Sequence, residues 1–341
     1  MRRVASVIFV AVLMGCALWA FSPVNYQVLN KVTVGGDGGW DYLTFDPDGN
    51  RVFISRGTHV IVLDGKTGAS VGDIPDTPGV HGIALAPEVG KGFVSNGRGN
   101  NITIFDLKTL KSLGQVEAGT NPDAIIYDPA SKRAFAFNGR SNNATAVDAA
   151  DGKVAGTVPL GGKPEFAVSD GKGQVFVNLE DKHSISVIDS KKLTVAATWE
   201  LAGCEEPSGL AMDRKNHVLF SVCGNKVMVI VDANSGKLIA TVPTGAGTDA
   251  AGFDSKRELA FASNGEGTLT VVHEKSPHEF EVVQNVQTQA RARTMTLDEK
   301  TGNVYLVTAE FGPAPAATAD QPRPRPTMVP GTFTLLIVGQ K

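Results

Sequence analysis

The chain has 341 residues, of which 42% are hydrophobic and 20% charged, with 38 glycines and a formal net charge of -3. That length and apolar fraction suffice for a globular core, and the scarcity of helical-period segments among so many glycines favours an all-β class. The slightly acidic balance does not suggest a general nucleic-acid binder and leaves a local basic patch open.

Residues 1–22 read as a targeting segment. Arg2 and Arg3 form a basic start, and Val4–Leu13 is a nearly unbroken apolar run. Leu13-Met14-Gly15-Cys16 resembles a lipobox, in which Cys16 would be lipidated after cleavage. Cleavage near Ala20 and retention as an uncleaved anchor are the alternatives. All three predict export to the periplasm or cell envelope, with the membrane met only through this segment. Loss of Arg2 and Arg3 would leave 30 basic against 35 acidic residues, a charge of about -5.

Tyr26–Val34 is a lone predicted strand with no partner close behind it. Its tail, VLNKVTVGG, matches the fourth strand of later units such as LIATVPTGAG. Those units begin at Trp40. The end of each first strand is marked by Asp46, Ala86, Asp128, Asp170, Asp213, Asp254 and Asp298, at spacings of 40 to 44 residues. Third strands are predicted to end at Asp64, Asp106, Asp148, Asp189, Asp232 and His273, before turns such as DGKTG and DANSGK. There an Asp side chain caps the reversal through backbone N–H groups, which explains the row of aspartates without catalysis.

One unit shows the pattern fully. Between Glu165 and Pro207 lie predicted strands at Glu165–Ser169, Val175–Asn178, Ser184–Ile188 and Thr194–Leu201, rich in β-branched and aromatic residues. Four short strands cannot bury both faces alone, and seven such units predict a seven-bladed β-propeller over residues 26–341. The seventh unit supplies strands near Arg293–Leu297, Asn303–Thr308 and Thr332–Val338, and the chain then ends. Tyr26–Val34 is therefore predicted to complete the last blade and close the ring.

VFVNLEDKHSISVID, GTDAAGFDSKRELAFASNGEGTLTVVHEKSP and ARTMTLDEKTGNVYLVTAEFGP carry a resemblance that spans roughly residues 28–341. They resemble the YVTN-repeat β-propeller family, in particular its YncE-like exported members. The resemblance implies an extracytoplasmic seven-bladed propeller and no general catalytic motif. In this chain Leu-Ile-Val-Gly replaces the usual Ile-Asp ending of the last unit.

The insertion at 312–331 carries six prolines, which forbid a central strand and favour extended structure. It belongs to the face that carries the loops entering the first strands. Folding over the channel mouth and projecting as a surface loop are both open readings.

Residues entering the seven innermost strands are Asp41, His81, Asp123, Glu165, Ser208, Asp249 and Arg293, a predicted polar ring around one channel mouth. Asp41, His81, Asp123, Glu165 and Asp249 are the candidate ligands if the ring holds a divalent cation; the ring could equally hold a small polar ligand or simply bond blade to blade. On the same face Arg56, Arg98 and Arg140, with Arg323 and Arg325 of the insertion, predict a basic crescent. Glu180, Asp181, Glu205, Glu206 and Glu266 predict an acidic one opposite. Cys204 and Cys223 fall on that face too, near enough for a disulfide in an exported protein.

The G-x-S-x-G match at Gly68–Gly72 precedes an outer strand rather than a helix, so it lacks the setting of a nucleophile. The function expected from these residues is non-catalytic binding or scaffolding, as a monomer without cofactor, toward an envelope protein or small polar ligand. A metal-assisted hydrolase of lactonase type and a polyanion binder are the alternatives.

Overall fold

The computed structural model describes residues 24–36, 38–316 and 326–341. The segment expected to serve in targeting, with Cys16, and Arg323 and Arg325 lie outside the described residues. No helix among those described is long and apolar enough to cross a membrane.

Seven four-stranded antiparallel sheets form the seven blades of a propeller, six of them in simple meander order. The seventh places Tyr26–Thr33 outside Thr334–Gln340, with Asn303–Thr308 and Met295–Asp298 inward. The N-terminal strand thus closes the ring, in a register from Tyr26 opposite Gln340 to Thr33 opposite Thr334. The Tyr26 ring meets Phe261 of the sixth blade edge-on at 5.2 Å. Gln284 donates to the Tyr26 carbonyl (2.8 Å) and accepts from its N–H (2.9 Å).

Middle strands are sandwiched between neighbouring blades, which is why they read as continuous apolar runs rather than as alternation. Each second strand places an aromatic ring at the same position in that sandwich: Phe53, Phe93, Phe135, Phe176, Phe220, Phe261 and Tyr305, all buried, with Phe137 adding a second in the third blade. Gly92 is required by this packing, since a Cβ there would collide with the Phe105 ring. Outer strands such as Ser112–Glu117 are exposed along most of their length.

The aspartates cap turns as expected. Asp64 Oδ1 accepts from the Lys66 and Thr67 N–H groups at 3.1 and 2.7 Å. Asp170 Oδ1 accepts from Lys172, Gly173 and Gln174. The sixth blade departs from expectation. Its third strand does not stop at His273 but runs over Thr268–Ser276, pairing with Glu279–Gln287. A histidine offers no carboxylate to two successive N–H groups, so the hairpin extends until Ser276. In the seventh blade the first and third strands begin two residues later than expected, at Met295 and Thr334.

Cys204 and Cys223 form a disulfide that ties the loop entering the fifth blade to the end of that blade's second strand. Replacing both by serine is expected to lower the unfolding free energy by about 3 kcal/mol, the chain-entropy value for a loop of this size. Guanidinium titrations with and without reductant check this; coincident curves for wild type and variant would contradict it.

Candidate functional site at the channel mouth

Five of the innermost strands begin with an irregular step. Register shifts lie between Val80 and Ile83, Pro122 and Ile125, Pro164 and Ala167, Pro207 and Leu210, and Thr248 and Ala250. Inside these steps sit His81, Asp123, Glu165, Ser208 and Asp249. A bulge withdraws a residue from the ladder and re-aims its side chain, here toward the channel mouth. Two residues before the ring position, the backbone is left-handed at Gly79, Asn121, Glu206, Gly247 and Arg291. Second-strand side chains fix the ring backbone from the neighbouring blade. Ser95 donates to the Asp123 carbonyl, Asn178 to that of Ser208 at 2.8 Å, and Ser263 to that of Arg293.

The ring resolves into three groups. His81 Nδ1 lies 2.6 Å from Asp41 and 3.5 Å from Asp123. One ligand atom from each of these three residues falls within 4.8 Å of the others, a spacing that suits a cation. Lys163 reaches Glu165 at 2.7 Å and also bonds Glu180. Ser208 donates to Asp249 at 3.0 Å, and Arg293 Nε lies 3.4 Å from the same carboxylate.

Of these, Asp41, Asp123, Glu165, Glu180, Ser208, Asp249 and Arg293 line a cup of about 220 Å³, with His81 and Lys163 bonded to its carboxylates from outside the lining. Tyr42 and Phe166 form its floor, their ring centroids 4.5 Å apart. Both also line the bore beneath, so the pair stands between the cup and that lower cavity of about 280 Å³, whose lining mixes apolar side chains with Thr44, Arg214, Thr296 and Glu299. The Tyr42 hydroxyl is buried and has no hydrogen-bond partner among the described residues. The cup's carboxylates are Asp41, Asp123, Glu165, Glu180 and Asp249, balanced by Lys163, Arg293 and, when protonated, His81.

This crowding moves the ionisation equilibria. Burial raises Asp123 to about 6, aided by Asp41 and opposed by His81. Burial, then the Asp123 charge, raises Glu165 to about 8. Asp249 is raised by burial and held back by Arg293. Burial disfavours the imidazolium of His81, but the Asp41 hydrogen bond and the Asp123 charge outweigh it, so its pKa is raised. Burial and the surrounding carboxylates push the Tyr42 hydroxyl far up, so it stays protonated.

A second cavity of about 530 Å³ adjoins the cup, and Arg293 lines both. Its wall includes Trp40, Arg291, Phe311 and Met328. The stem of the proline-rich insertion builds part of it: Phe311 and Met328 pair as an isolated bridge, and Gly312 donates to the Thr327 carbonyl at 2.9 Å. Phe311 lies 6.0 Å from Trp40, and the Arg291 guanidinium stands 4.0 Å over the Phe311 ring. The stem of the insertion is therefore placed at the channel-mouth face.

Arg56 corrects the expected basic crescent. It is 1% exposed, lies 3.8 Å over the Phe333 ring, and donates to the carbonyl of Gly38 at 2.5 Å. Its guanidinium holds the chain entering the first blade rather than facing solvent. Arg98 and Arg140 are exposed and make no ion pair among the described residues; Asp181, Glu205, Glu206 and Glu266 are exposed opposite. Tyr42, Phe166, Lys163 and the Arg291 pocket were not expected from the sequence. A signal existed for the floor: after the ring residues, five blades carry Gly82, Ala124, Gly209, Ala250 and Thr294, and only two carry an aromatic.

No protein-family model and no curated protein matches the chain. Among solved structures, a chain of one titled "Crystal Structure of Mitotic Checkpoint Complex" superposes with a TM-score of 0.74 at 12% identity, covering 99% of this chain and 98% of that one. The match establishes a fold shared with other seven-bladed propellers. Because 1791 chains match, the likeness selects no activity.

The raised carboxyls set the sign of a pH effect. A folded-state pKa above its unfolded value contributes stability that is complete below the unfolded pKa and is lost as pH rises through the folded one. For Asp123 and Glu165 that loss runs from about pH 4 to about pH 8. Glu165→Gln is therefore expected to match wild-type stability near pH 5 and to exceed it near pH 9. Each tenfold by which the fold weakens this acid is worth about 1.4 kcal/mol at the alkaline end. Melting curves across this range check it, and an alkaline variant no more stable than wild type would contradict it.

Proposed function

We propose that this propeller is an exported binding protein, of the YVTN type its repeats resemble, whose channel-mouth cup receives the cationic group of a small ligand. The observation that supports this best is the buried Tyr42 hydroxyl, unpartnered among the described residues, beneath five carboxyl groups that Lys163, Arg293 and, when protonated, His81 offset. An ammonium group supplies what the cup lacks. It donates hydrogen bonds to acceptors already desolvated, compensates their charge, and sits against aromatic rings whose quadrupole favours cations. The residues of the cup bind and orient.

Titration of the protein with n-propylammonium near pH 8, followed calorimetrically, tests the reading. Saturable binding is expected that weakens with salt, falls at least about tenfold in Asp123→Asn, and falls about threefold in Tyr42→Phe. An affinity indifferent to Asp123→Asn would overturn it.

The Asp41, His81 and Asp123 trio supports a second reading, a divalent cation and with it metal-assisted hydrolysis. Under the ammonium reading, purified protein carries no stoichiometric metal and a chelator leaves its melting temperature unchanged. A stoichiometric ion whose removal lowers melting, and whose loss accompanies Asp41→Ala, would replace the ammonium reading with the metal one. Polyanion binding is weakened as a reading by the burial of Arg56, which leaves Arg98 and Arg140 as the described part of the crescent.

A further inference from the structure

Resting on the cationic cup, we infer that the ligand is a small zwitterion: its ammonium in the cup, its carboxylate at Arg291 and Arg293, and its apolar body against Trp40 and Phe311. Arg293 lines both the cup and the aromatic cavity, and a ligand held in both would lie across its side chain. The two cavities have opposite chemistry. One presents an excess of carboxylates, and the other presents two guanidinium groups and no carboxylate among the described residues that line it.

Arg291 is the strongest pointer. It occupies the left-handed position two residues before the ring, where other blades use Gly79, Asn121, Glu206 and Gly247. Its N–H donates to the Gly265 carbonyl at 2.7 Å, which fixes the stem of the side chain. The guanidinium lies on the Phe311 ring and forms no ion pair or hydrogen bond among the described residues. Stacking constrains the plane of the group while leaving its N–H edge available, a geometry suited to a bidentate carboxylate. Arg293 already shares its charge with Asp249 at 3.4 Å, so it bridges the two halves rather than supplying the main anion contact. Gly38, Gly39, Gly247 and Gly265 line the aromatic cavity and let a ligand approach backbone directly.

A cation-only ligand would leave Arg291 unused, and an anion-only ligand would leave the cup uncompensated. A molecule with both charges satisfies each cavity, and the adjoining volumes of about 220 and 530 Å³ suit one the size of an amino acid or a small peptide.

The test compares γ-aminobutyrate, ε-aminocaproate and phenylalanine with n-propylamine, n-pentylamine and phenethylamine, which lack the carboxylate. At least one zwitterion is expected to bind about tenfold more tightly than its matched amine, from the added charge-assisted hydrogen bonds. Arg291→Gln is expected to erase that advantage, and Arg291→Lys, which keeps the charge without the planar fork, to retain part of it. The amines, which keep the ammonium and the apolar body but offer nothing to the guanidinium groups, serve as the reference in every variant. Amine binding with no zwitterion advantage, or an advantage that survives Arg291→Gln, overturns the zwitterion and leaves the cationic cup standing. Absence of binding by every probe overturns both. Melting temperatures of the variants equal to wild type exclude misfolding as the cause of a loss.

Discussion

Each blade of this protein has two faces that must leave water, and only the neighbouring blades can cover them. That mutual burial is the constraint on which the rest depends. An aromatic ring at the same place in every second strand, from Phe53 round to Tyr305, fills the space between blades, so every sheet is sandwiched and its middle strands lose the usual alternation of polar and apolar residues. A ring built this way has no natural end. The strand Tyr26–Thr33 supplies one by pairing with the C-terminal strand, and Gln284 then binds its backbone to the blade next door. The N-terminal and C-terminal strands become part of the closure, and the seam is paired like any other blade.

The same closure creates the site. Seven innermost strands converge on one channel, and their first residues meet at its mouth whatever their side chains are. Bulges turn those side chains inward, and hydroxyl and amide groups of the second strands hold the backbone that carries them. The carboxylates so gathered lose hydration and, to a lesser degree, repel one another, which raises Asp123, Glu165 and Asp249 together. His81, Lys163 and Arg293 offset part of that cost. A buried Tyr42 hydroxyl without a partner among the described residues leaves the arrangement unsaturated. Structural bonding between blades accounts for pairs such as Ser208 with Asp249, but among the described residues it uses neither this hydroxyl nor the N–H groups of the Arg291 guanidinium, which only stacks on Phe311.

Shared architecture decides nothing further about chemistry. A chain of the mitotic checkpoint complex structure superposes over nearly the whole length at 12% identity, and the propeller serves there in a setting with no demonstrated bearing on this one. What distinguishes this chain lies at the mouth of the channel: which charges are compensated, which are not, and where the cavities join.

Much of this was determined by the sequence alone. Its period of 40 to 44 residues, the Asp-capped turns and the orphan strand at Tyr26 specify seven blades and their closure, because these are local patterns repeated at fixed intervals. The ring positions and the Cys204–Cys223 pair were legible for the same reason: the repeat assigns each residue a place on a known face. Which neighbour each ring residue bonds was not legible. Arg56 reads like Arg98 and Arg140 in its loop, yet it is buried over Phe333, because the chain entering the first blade wraps back across it. Tyr42 and Phe166 lie 124 positions apart in sequence and meet only because the ring curves. The pocket at Arg291 likewise needs Trp40 from the first blade and Phe311 from the last. Local periodicity fixes where a residue sits within its blade, whereas contacts between blades and across the channel depend on the curvature of the closed ring, which no single repeat encodes.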